Sequence, residues 1–227
     1  MRIDILTLFP EMFAPLNESI IGRAQKGEKV QIVVTNIRDY ATDKHKRCDD
    51  YPFGGGAGMV MMVEPVANAI ESLDPNHQAL RIYMSPKGKT FSQKHVARIL
   101  THDRILILCG HYEGIDQRII DLYIDEEMSI GDYVLTGGEL PAMVITDAIC
   151  RYVDGVISKD SLKNETFTDN LVEYPQYTRP QEFKGLKVPD VLLSGNHQEV
   201  DKWRLNESIK LTKKLRPDLI ETDKKWR

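Results

Sequence analysis

Short apolar runs rich in β-branched residues alternate with amphipathic patterns along the chain before Val153. Strands are predicted for the apolar runs at residues 3–9, 30–34, 80–84 and 104–109. Helices are predicted for the amphipathic segments at residues 11–25, 64–73 and 92–100. Strands that are joined through helices usually pair in parallel within one sheet. The sequence therefore predicts an α/β fold with a mostly parallel sheet and helices on both of its faces.

The alternating pattern ends after Val153, where the chain becomes rich in Gly, Ser, Lys, Asp, Asn and Thr and shows little periodicity. Such a segment is typical of a linker or a lid. Amphipathic helices are predicted again from about residue 198 to 215. We therefore predict an α/β domain at residues 1–157, a flexible linker or lid at 158–176, and a small helical C-terminal domain at 177–227.

Length and charge limit the function only loosely. A chain of 227 residues can bury one substantial core and a smaller second one. The formal net charge of -4 argues against a protein that binds nucleic acid through overall charge alone. Residues 202–227, however, carry nine basic and four acidic side chains. This local excess is equally consistent with a solvated helix face and with a surface that contacts RNA.

Cysteine spacing and hydropathy indicate the compartment. Cys48, Cys109 and Cys150 are odd in number and widely spaced, which predicts neither a disulfide framework nor a zinc site. No apolar run reaches the roughly 18 residues that a membrane span requires. The apolar run at the start of the chain is too short, and the segment too acidic, for a signal peptide. We therefore expect reduced thiols and a soluble, cytoplasmic protein without membrane association.

Several familiar ligand-binding motifs are excluded. The segment that begins at Gly88 is not a phosphate-binding loop, because that motif requires a glycine where the chain has Tyr83. The glycine run that begins at Gly54 is not a dinucleotide-binding loop, because its last required glycine is Met59. The six histidines show no metal-ligand spacing, so no metal site is predicted.

A small-molecule site is predicted where two glycine-rich turns follow strands. The longer turn, at residues 129–141, surrounds a short apolar run that predicts a strand, and leads into a helix with Pro141 in its first turn. Positive φ and open peptide groups are expected at its glycines, Gly131, Gly137 and Gly138. The second turn, at residues 110–114, follows the last predicted strand. Because ligands bind at strand ends in α/β sheets, the turns predict a site built largely from main chain.

Six longer motifs of the sequence resemble those of one known protein family. They are LFPEMF at residues 8–13, DDYPFGGGAGM at 49–59, SPKG at 85–88, CGHYEGID at 109–116, SIGDYVLTGGELP at 129–141 and YTRP at 177–180. With them the chain closely resembles, essentially from end to end, the bacterial tRNA (guanine-N(1))-methyltransferases of the SPOUT class. The resemblance implies S-adenosyl-L-methionine as methyl donor. It also implies methylation of ring nitrogen 1 of the guanosine immediately 3′ of the tRNA anticodon.

The resemblance has further implications for the fold and the assembly. It implies a C-terminal trefoil knot at the cofactor site of the α/β domain, and tRNA binding by the C-terminal domain. It implies a homodimer whose active sites lie at the subunit interface. It also leaves open whether Mg²⁺ assists the transfer without a fixed cage of protein ligands.

The resemblance assigns the cofactor site to residues that follow predicted strands. These residues are Ser85, Pro86, Gly110, Tyr112, Glu113, Ser129, Ile130, Gly131, Tyr133, Leu135, Gly137, Gly138 and Pro141. An adenine edge suits main-chain amides and carbonyls. Each single glycine is also consistent with an ordinary tight turn. Glu113 is expected to bind polar groups of the cofactor or, alternatively, to cap the helix predicted to begin near Ile115.

Asp169 and Arg151 match the catalytic positions of the family. Asp169 lies in the predicted lid and would take the proton from the guanine nitrogen. Because a free Asp has a pKa near 4, this proton transfer becomes favourable only as the new N–C bond makes the ring cationic. Arg151 would stabilise negative charge on the guanine carbonyl oxygen, or else simply balance a helix dipole. Asn170 stands where the family is expected to have glycine, and Asn tolerates left-handed backbone.

The tRNA site is assigned to a carboxylate, a glycine loop and a basic residue of the first helix. These residues are Asp49, Gly54, Gly55, Gly56, Gly58 and Arg23. A carboxylate at Asp49 can accept hydrogen bonds from the imino and amino groups of guanine, while the basic run at residues 44–47 holds phosphate. The alternative is a solvated loop in which the Asp is only a turn signal.

Two other functions compete with tRNA methylation. A related knotted methyltransferase acting on ribosomal RNA would share the cofactor loops but should lack the pair of Asp169 and Arg151. A non-enzymatic RNA-binding protein would keep the fold and lose the chemistry, since a fold alone does not determine function. The intact cofactor loops argue against the second alternative.

Overall fold

The computed structural model describes residues 1–163 and 165–221, which form two compact units, Met1–Ile157 and Ser158–Arg227. The first unit is built on a five-stranded sheet in the order β2-β1-β6-β5-β7. Its strands are β1 Arg2–Thr7, β2 Gln31–Asn36, β5 Leu80–Thr90, β6 Arg104–Cys109 and β7 Glu126–Ser129. All four pairings are parallel, which confirms the predicted α/β class. A short antiparallel pair, β3 Asp49–Asp50 and β4 Val60–Met61, stands apart from this sheet.

Five helices of the first unit cover the sheet. They are α1 Ser19–Lys26, α2 Val63–Leu73, α3 Gln93–Ile99, α4 Gln117–Tyr123 and α5 Glu139–Cys150. Successive strand side chains point to opposite faces, and the buried residues accordingly form two clusters. Apolar residues of α1, α3 and α5 pack with one set of strand side chains, and those of α2 and α4 pack with the other. Helices therefore lie on both faces, as the alternating pattern predicted.

Two local predictions are wrong. The helix predicted at residues 11–25 is a 3-10 helix at Pro10–Asn17 followed by α1, with Pro15 inside the first segment and Ser19 at a φ of 54°. The break has a physical cause, since proline lacks the N–H that an α-helix needs at Pro15. The apolar run between Gly131 and Gly137 forms a loop without regular strand pairing, except for one bridge between His111 and Gly137.

The second unit is mostly helical and is described by itself. It contains α6 Lys159–Leu162, the hairpin of β8 Glu182–Phe183 and β9 Leu186–Lys187, α7 His197–Leu215 and α8 Pro217–Glu221. Asn196 caps α7, because its side chain accepts a hydrogen bond from the Glu199 amide. Three of the basic residues noted near the end of the chain, Lys224, Lys225 and Arg227, lie outside the described residues. Within the described ranges, no helix is both long and apolar enough to cross a membrane.

Candidate functional site

One cavity of about 270 Å³ lies at the carboxyl ends of β6 and β7 and at residues 83–87 of β5, where the pairing of β5 with β6 ends. The parallel pairing brings these three segments to the same edge of the sheet, where α/β proteins bind ligands. All of the residues assigned to the cofactor line this cavity: Ser85, Pro86, Gly110, Tyr112, Glu113, Ser129, Ile130, Gly131, Tyr133, Leu135, Gly137, Gly138 and Pro141. Segments that are far apart in the sequence thus meet around one space.

Gly138 is required by close packing. Its φ is -82°, so the positive φ expected there is wrong. A Cβ at Gly138 would lie 2.8 Å from Cys109 Cα and 2.8 Å from Gly110 N. Its amide donates to the Gly110 carbonyl at 2.8 Å, so this peptide group is used within the protein and is not open to a ligand. Gly137 likewise has no positive φ; a Cβ there would overlap the side chains of Glu139 and His111.

Gly131 is the glycine of this loop that does adopt positive φ, at 152°. The Ser129 hydroxyl donates to the Gly131 carbonyl at 2.9 Å and accepts from the Gly131 amide at 3.2 Å. The Tyr133 amide also donates to the Gly131 carbonyl, at 2.9 Å. These hydrogen bonds hold a tight turn directly after β7, which fixes the cavity wall formed by the loop.

Tyr83 forms part of the cavity and was not assigned from the sequence. It belongs to β5 and is buried, and burial raises the pKa of its hydroxyl to about 12. A Cβ at Gly110 would lie 2.7 Å from this hydroxyl, so glycine is needed where β6 ends. In the sequence Tyr83 is one more apolar residue of a strand, and nothing in the pattern distinguishes it.

His111, Glu139 and Thr7 form a second feature that sequence reasoning missed. Glu139 is 1% exposed, and its Oε1 accepts a hydrogen bond of 2.8 Å from the Thr7 hydroxyl. Its Oε2 lies 3.8 Å from His111 Nδ1. The adjacent Cys109 thiol has its pKa raised by burial and, to a smaller extent, by the charge of Glu139. His111 and Glu139 lie inside the motifs at residues 109–116 and 129–141. Their position in these motifs is the only feature of the sequence that could have indicated them.

The glycine loop assigned to tRNA joins β3 and β4. Gly54, Gly55, Gly56 and Gly58 all adopt positive φ, between 77° and 127°. A Cβ at the first three would meet no atom within 4 Å, so backbone conformation and not packing favours glycine there. At Gly58 a Cβ would lie 2.5 Å from Glu113 Oε1, which brings the end of this loop next to the cavity wall.

Glu113 does not cap a helix. The N-cap of α4 is Asp116, whose carboxylate accepts a hydrogen bond of 2.9 Å from the Arg118 amide. Hydrogen bonding to the Arg118 side chain also lowers the pKa of Asp116. The capping alternative for Glu113 is therefore wrong, and its side chain lines the cavity.

The remaining assigned residues do not line this cavity. Arg151 follows the last residue of α5, whereas the cavity lies at the first turn of the same helix. Twelve residues separate the two ends, a distance of about 18 Å. Arg23 is exposed on α1, and Asp49 is half-buried in β3. Asp169 belongs to the second unit, where it lies in a 3-10 helix at Thr168–Asn170 with a φ of 51°.

Comparison with known proteins agrees with these motifs. A family model described as tRNA (Guanine-1)-methyltransferase TrmD matches residues 1–222. A tRNA (guanine-N(1)-)-methyltransferase of Alkaliphilus oremlandii is 54% identical, over 97% of this chain and 92% of its own length. The protein of the same name from Ruminiclostridium cellulolyticum is 53% identical over 97% of this chain and 96% of its own length. The predicted family is thereby confirmed: the chain belongs to the tRNA (guanine-1)-methyltransferase TrmD family.

Proposed function

We propose that this protein methylates ring nitrogen 1 of the guanosine immediately 3′ of the anticodon in tRNA, with S-adenosyl-L-methionine as methyl donor. One observation supports this above others. In a chain of a tRNA (guanine-1)-methyltransferase family, the residues of three separate motifs line a single cavity at neighbouring strand ends. The curated relatives are named for the same reaction class.

The cavity has the size and lining that a nucleoside needs. Its volume of about 270 Å³ is close to the range of small-molecule sites. Leu135 and Ile130 supply apolar surface, and the turns that contain Gly110 and Gly131 form other parts of the cavity wall. We assign Glu113 to the polar groups of the cofactor. When bound, the cofactor supplies a methyl group on a positively charged sulfur; the cavity residues bind it and orient it.

We infer a trefoil knot around this site, in the C-terminal part of the domain at residues 1–157. The late part of β5 runs beside β7, with Lys89 opposite Met128 and Thr90 opposite Ser129. The chain after β7 then returns to the end of β6, where Gly138 bonds Gly110, before α5 packs with α3. This return of the chain from β7 to the end of β6 is the observation that supports the inferred knot.

Asp169 and Arg151 are the proposed catalytic residues. Asp169 accepts the proton of guanine nitrogen 1 as that nitrogen forms its new bond. Arg151 stabilises negative charge on the guanine carbonyl oxygen. Residues 158–176 act as the lid that carries Asp169 to the base. The left-handed φ of 57° at Asn170 shows that asparagine adopts there the conformation for which glycine was expected.

The tRNA contacts are proposed for two parts of the chain. In the first domain, Asp49 selects the base, while Arg23 and the loop of Gly54, Gly55, Gly56 and Gly58 contact the RNA. The domain at residues 177–227 binds tRNA through basic side chains, of which Lys210, Lys213 and Lys214 lie on α7. The exposed positive charges on one long helix are the feature of the described residues that supports this role.

We also propose a homodimer with the active site between subunits. Arg151 stands about 18 Å from the cavity along α5, so one chain does not place both at the same base. Arg151 lines instead an apolar hollow with Ile20, which is 37% exposed, and Val144, which is 49% exposed. A second copy that covers this face would bring its own cavity and Arg151 of the first copy closer together.

Two lesser expectations accompany the proposal. Any Mg²⁺ that assists the transfer would be held without a fixed protein cage; within residues 1–163 and 165–221 no group of three His, Cys, Asp or Glu side chains is placed to hold a metal ion. A tRNA-modifying activity would operate in the cytoplasm.

Transfer of labelled methyl groups tests the proposal directly. Purified protein is incubated with tritiated S-adenosyl-L-methionine and with tRNA transcripts that have guanosine or adenosine immediately 3′ of the anticodon. We expect label only in the transcript with guanosine. Label that is independent of this base would contradict the proposal. Label in ribosomal RNA fragments instead of tRNA would favour the related knotted methyltransferase.

A further inference from the structure

Among the described residues, one oxygen of the buried Glu139 carboxylate beside the cavity has a hydrogen-bond partner and the other has none. Glu139 lies in the first turn of α5, where the helix dipole favours a negative charge. Its Oε1 accepts the hydrogen bond from the Thr7 hydroxyl at 2.8 Å. Its Oε2 faces His111 Nδ1 at 3.8 Å, which is about 1 Å too long for a hydrogen bond. Because Glu139 as a whole is only 1% exposed, a donor to Oε2 would lower the cost of burying its charge.

His111 carries the matching unsatisfied nitrogen. Its Nδ1 is buried and has no hydrogen-bond partner among the described residues. The ring packs against Phe9 at 4.8 Å and against Tyr112 at 5.1 Å between centroids. A side chain at Gly137 would fill the space between the imidazole and the carboxylate, so glycine keeps that space clear. The unpartnered nitrogen therefore lies 3.8 Å from Glu139 Oε2, beside the space that glycine leaves at position 137.

We propose that Glu139 is a positioning residue for the nucleoside cofactor, which it orders through His111. The Nδ1–H of His111 donates to Glu139 Oε2, and this bond holds the turn at residues 110–114 against the ligand. Both His111 and Tyr112 line the cavity, so a ligand that fills the cavity contacts the imidazole ring of His111. A small rotation of the ring closes the remaining gap. The identity of the ligand rests on the function proposed above.

A nuclear magnetic resonance measurement tests the hydrogen bond itself. Full-length protein with ¹⁵N-labelled histidine is titrated with S-adenosyl-L-methionine, and the Nδ1–H signals are recorded. We expect one Nδ1–H resonance that becomes protected from exchange with water on binding. It should be missing in His111→Phe, which keeps a ring against Phe9, and should exchange faster in Glu139→Gln, whose amide oxygen is an uncharged and weaker acceptor. A resonance that is protected equally well in Glu139→Gln, or no such resonance in the saturated wild type, would overturn the inference.

Calorimetry tests the consequence for binding. We expect His111→Phe and Glu139→Gln each to weaken cofactor binding about tenfold, the effect of losing one charge-assisted hydrogen bond. The double variant should bind no more weakly than His111→Phe alone, because that single variant already lacks the hydrogen bond. Glu126→Gln, which alters a surface pair with Arg98 outside the cavity, is the matched control and should bind normally.

Failure of this inference is distinguishable from failure of the proposed function. If the wild type binds the cofactor and His111→Phe binds it equally well, only the positioning role is contradicted. If the wild type shows no binding heat for S-adenosyl-L-methionine, the proposed function itself is contradicted. Should Glu139→Gln fail to fold, His111→Phe alone still decides the matter through the resonance and the affinity.

Discussion

At the scale of single residues, the backbone around Asp169 is unusual. Phe167, Asp169 and Asn170 adopt φ values of 78°, 51° and 57° within four positions. Non-glycine residues in left-handed conformations cost of order 1 kcal/mol each, and they concentrate at functional sites. The same short segment carries Asp169, which we propose as the general base. We therefore interpret the local strain as the means by which the segment presents the Asp169 carboxylate.

Replacing Asp169 should separate binding from turnover. We expect Asp169→Ala to lower turnover by a factor on the order of 100 or more, because the general base is lost. Affinity for S-adenosyl-L-methionine should stay nearly unchanged. Asp190→Ala, which removes an exposed carboxylate elsewhere in the same unit, is the control. Methyl-transfer rates at saturating tRNA measure the effect, and an unchanged rate would remove Asp169 from the mechanism.

At the scale of elements, the start of α5 depends on its close approach to the end of β6. We expect Gly138→Ala to weaken cofactor binding at least tenfold and to lower the free energy of unfolding by about 1–3 kcal/mol, because its Cβ would press on backbone atoms. Gly27→Ala is the control: Gly27 also has a negative φ, of -86°, and a Cβ there would lie 3.3 Å and 3.9 Å from two carbonyl oxygens, a milder approach than the 2.8 Å at Gly138. Calorimetry and urea unfolding measure both effects; normal binding by Gly138→Ala would contradict the packing argument.

The link between α2 and β5 predicts a dependence of stability on pH. Asp74, at the end of α2, is buried; burial alone would raise its pKa, but hydrogen bonds from the Gln78 amide and the Arg81 side chain lower it. A carboxyl with a lowered pKa stabilises the fold fully above its unfolded pKa of about 4, and this stability is lost as pH falls through the folded value.

Removal of this carboxylate leaves Arg81 buried and unpaired. We expect Asp74→Ala to lower the free energy of unfolding at pH 7 by about 3–5 kcal/mol. The difference from wild type should shrink as the pH falls below about 4. Urea unfolding at several pH values measures this. A difference that stays constant down to pH 3 would show that the charge of Asp74 is not responsible.

Sequence patterns predicted the regular elements better than the loops. The strand at residues 104–109 has the predicted bounds, because an apolar run between polar residues is a local signal. The loop after β7 was predicted as a strand from its apolar Tyr133, Val134 and Leu135, yet these side chains are exposed at the cavity. Their exposure depends on where other segments lie, and periodicity carries no such information.

The sequence motifs predicted which residues form the candidate site, but they did not predict the structural role of each residue. Motif residues from three strands do line one cavity. Glycine at position 138 was expected to provide positive φ, whereas it is needed for close packing on Cys109. The sequence could not show this, because Cys109 comes from a distant part of the chain. Tyr83 and the pair of His111 and Glu139 were missed, since burial and partnership arise only when the sheet assembles.

At the scale of the whole molecule, the proposed active site needs two copies of the chain. The cavity belongs to the first unit, and Asp169 belongs to the second. Arg151 follows the last residue of α5, whereas the first turn of α5 lines the cavity. We propose that the cavity of one subunit works with Asp169 of its partner. A shared site of this kind makes a specific prediction for dimers assembled from two different inactive chains.

Mixed dimers test this central claim most directly. Asp169→Ala chains and Leu135→Arg chains, whose cavity is blocked by a charge, are coexpressed with different affinity tags, and the doubly tagged dimers are isolated. Each parent homodimer should be nearly inactive. Each mixed dimer should keep one complete site of two, and therefore about half of the wild-type methyl-transfer rate. Mixed dimers as inactive as their parents, or failure of the two chains to copurify, would contradict the shared site.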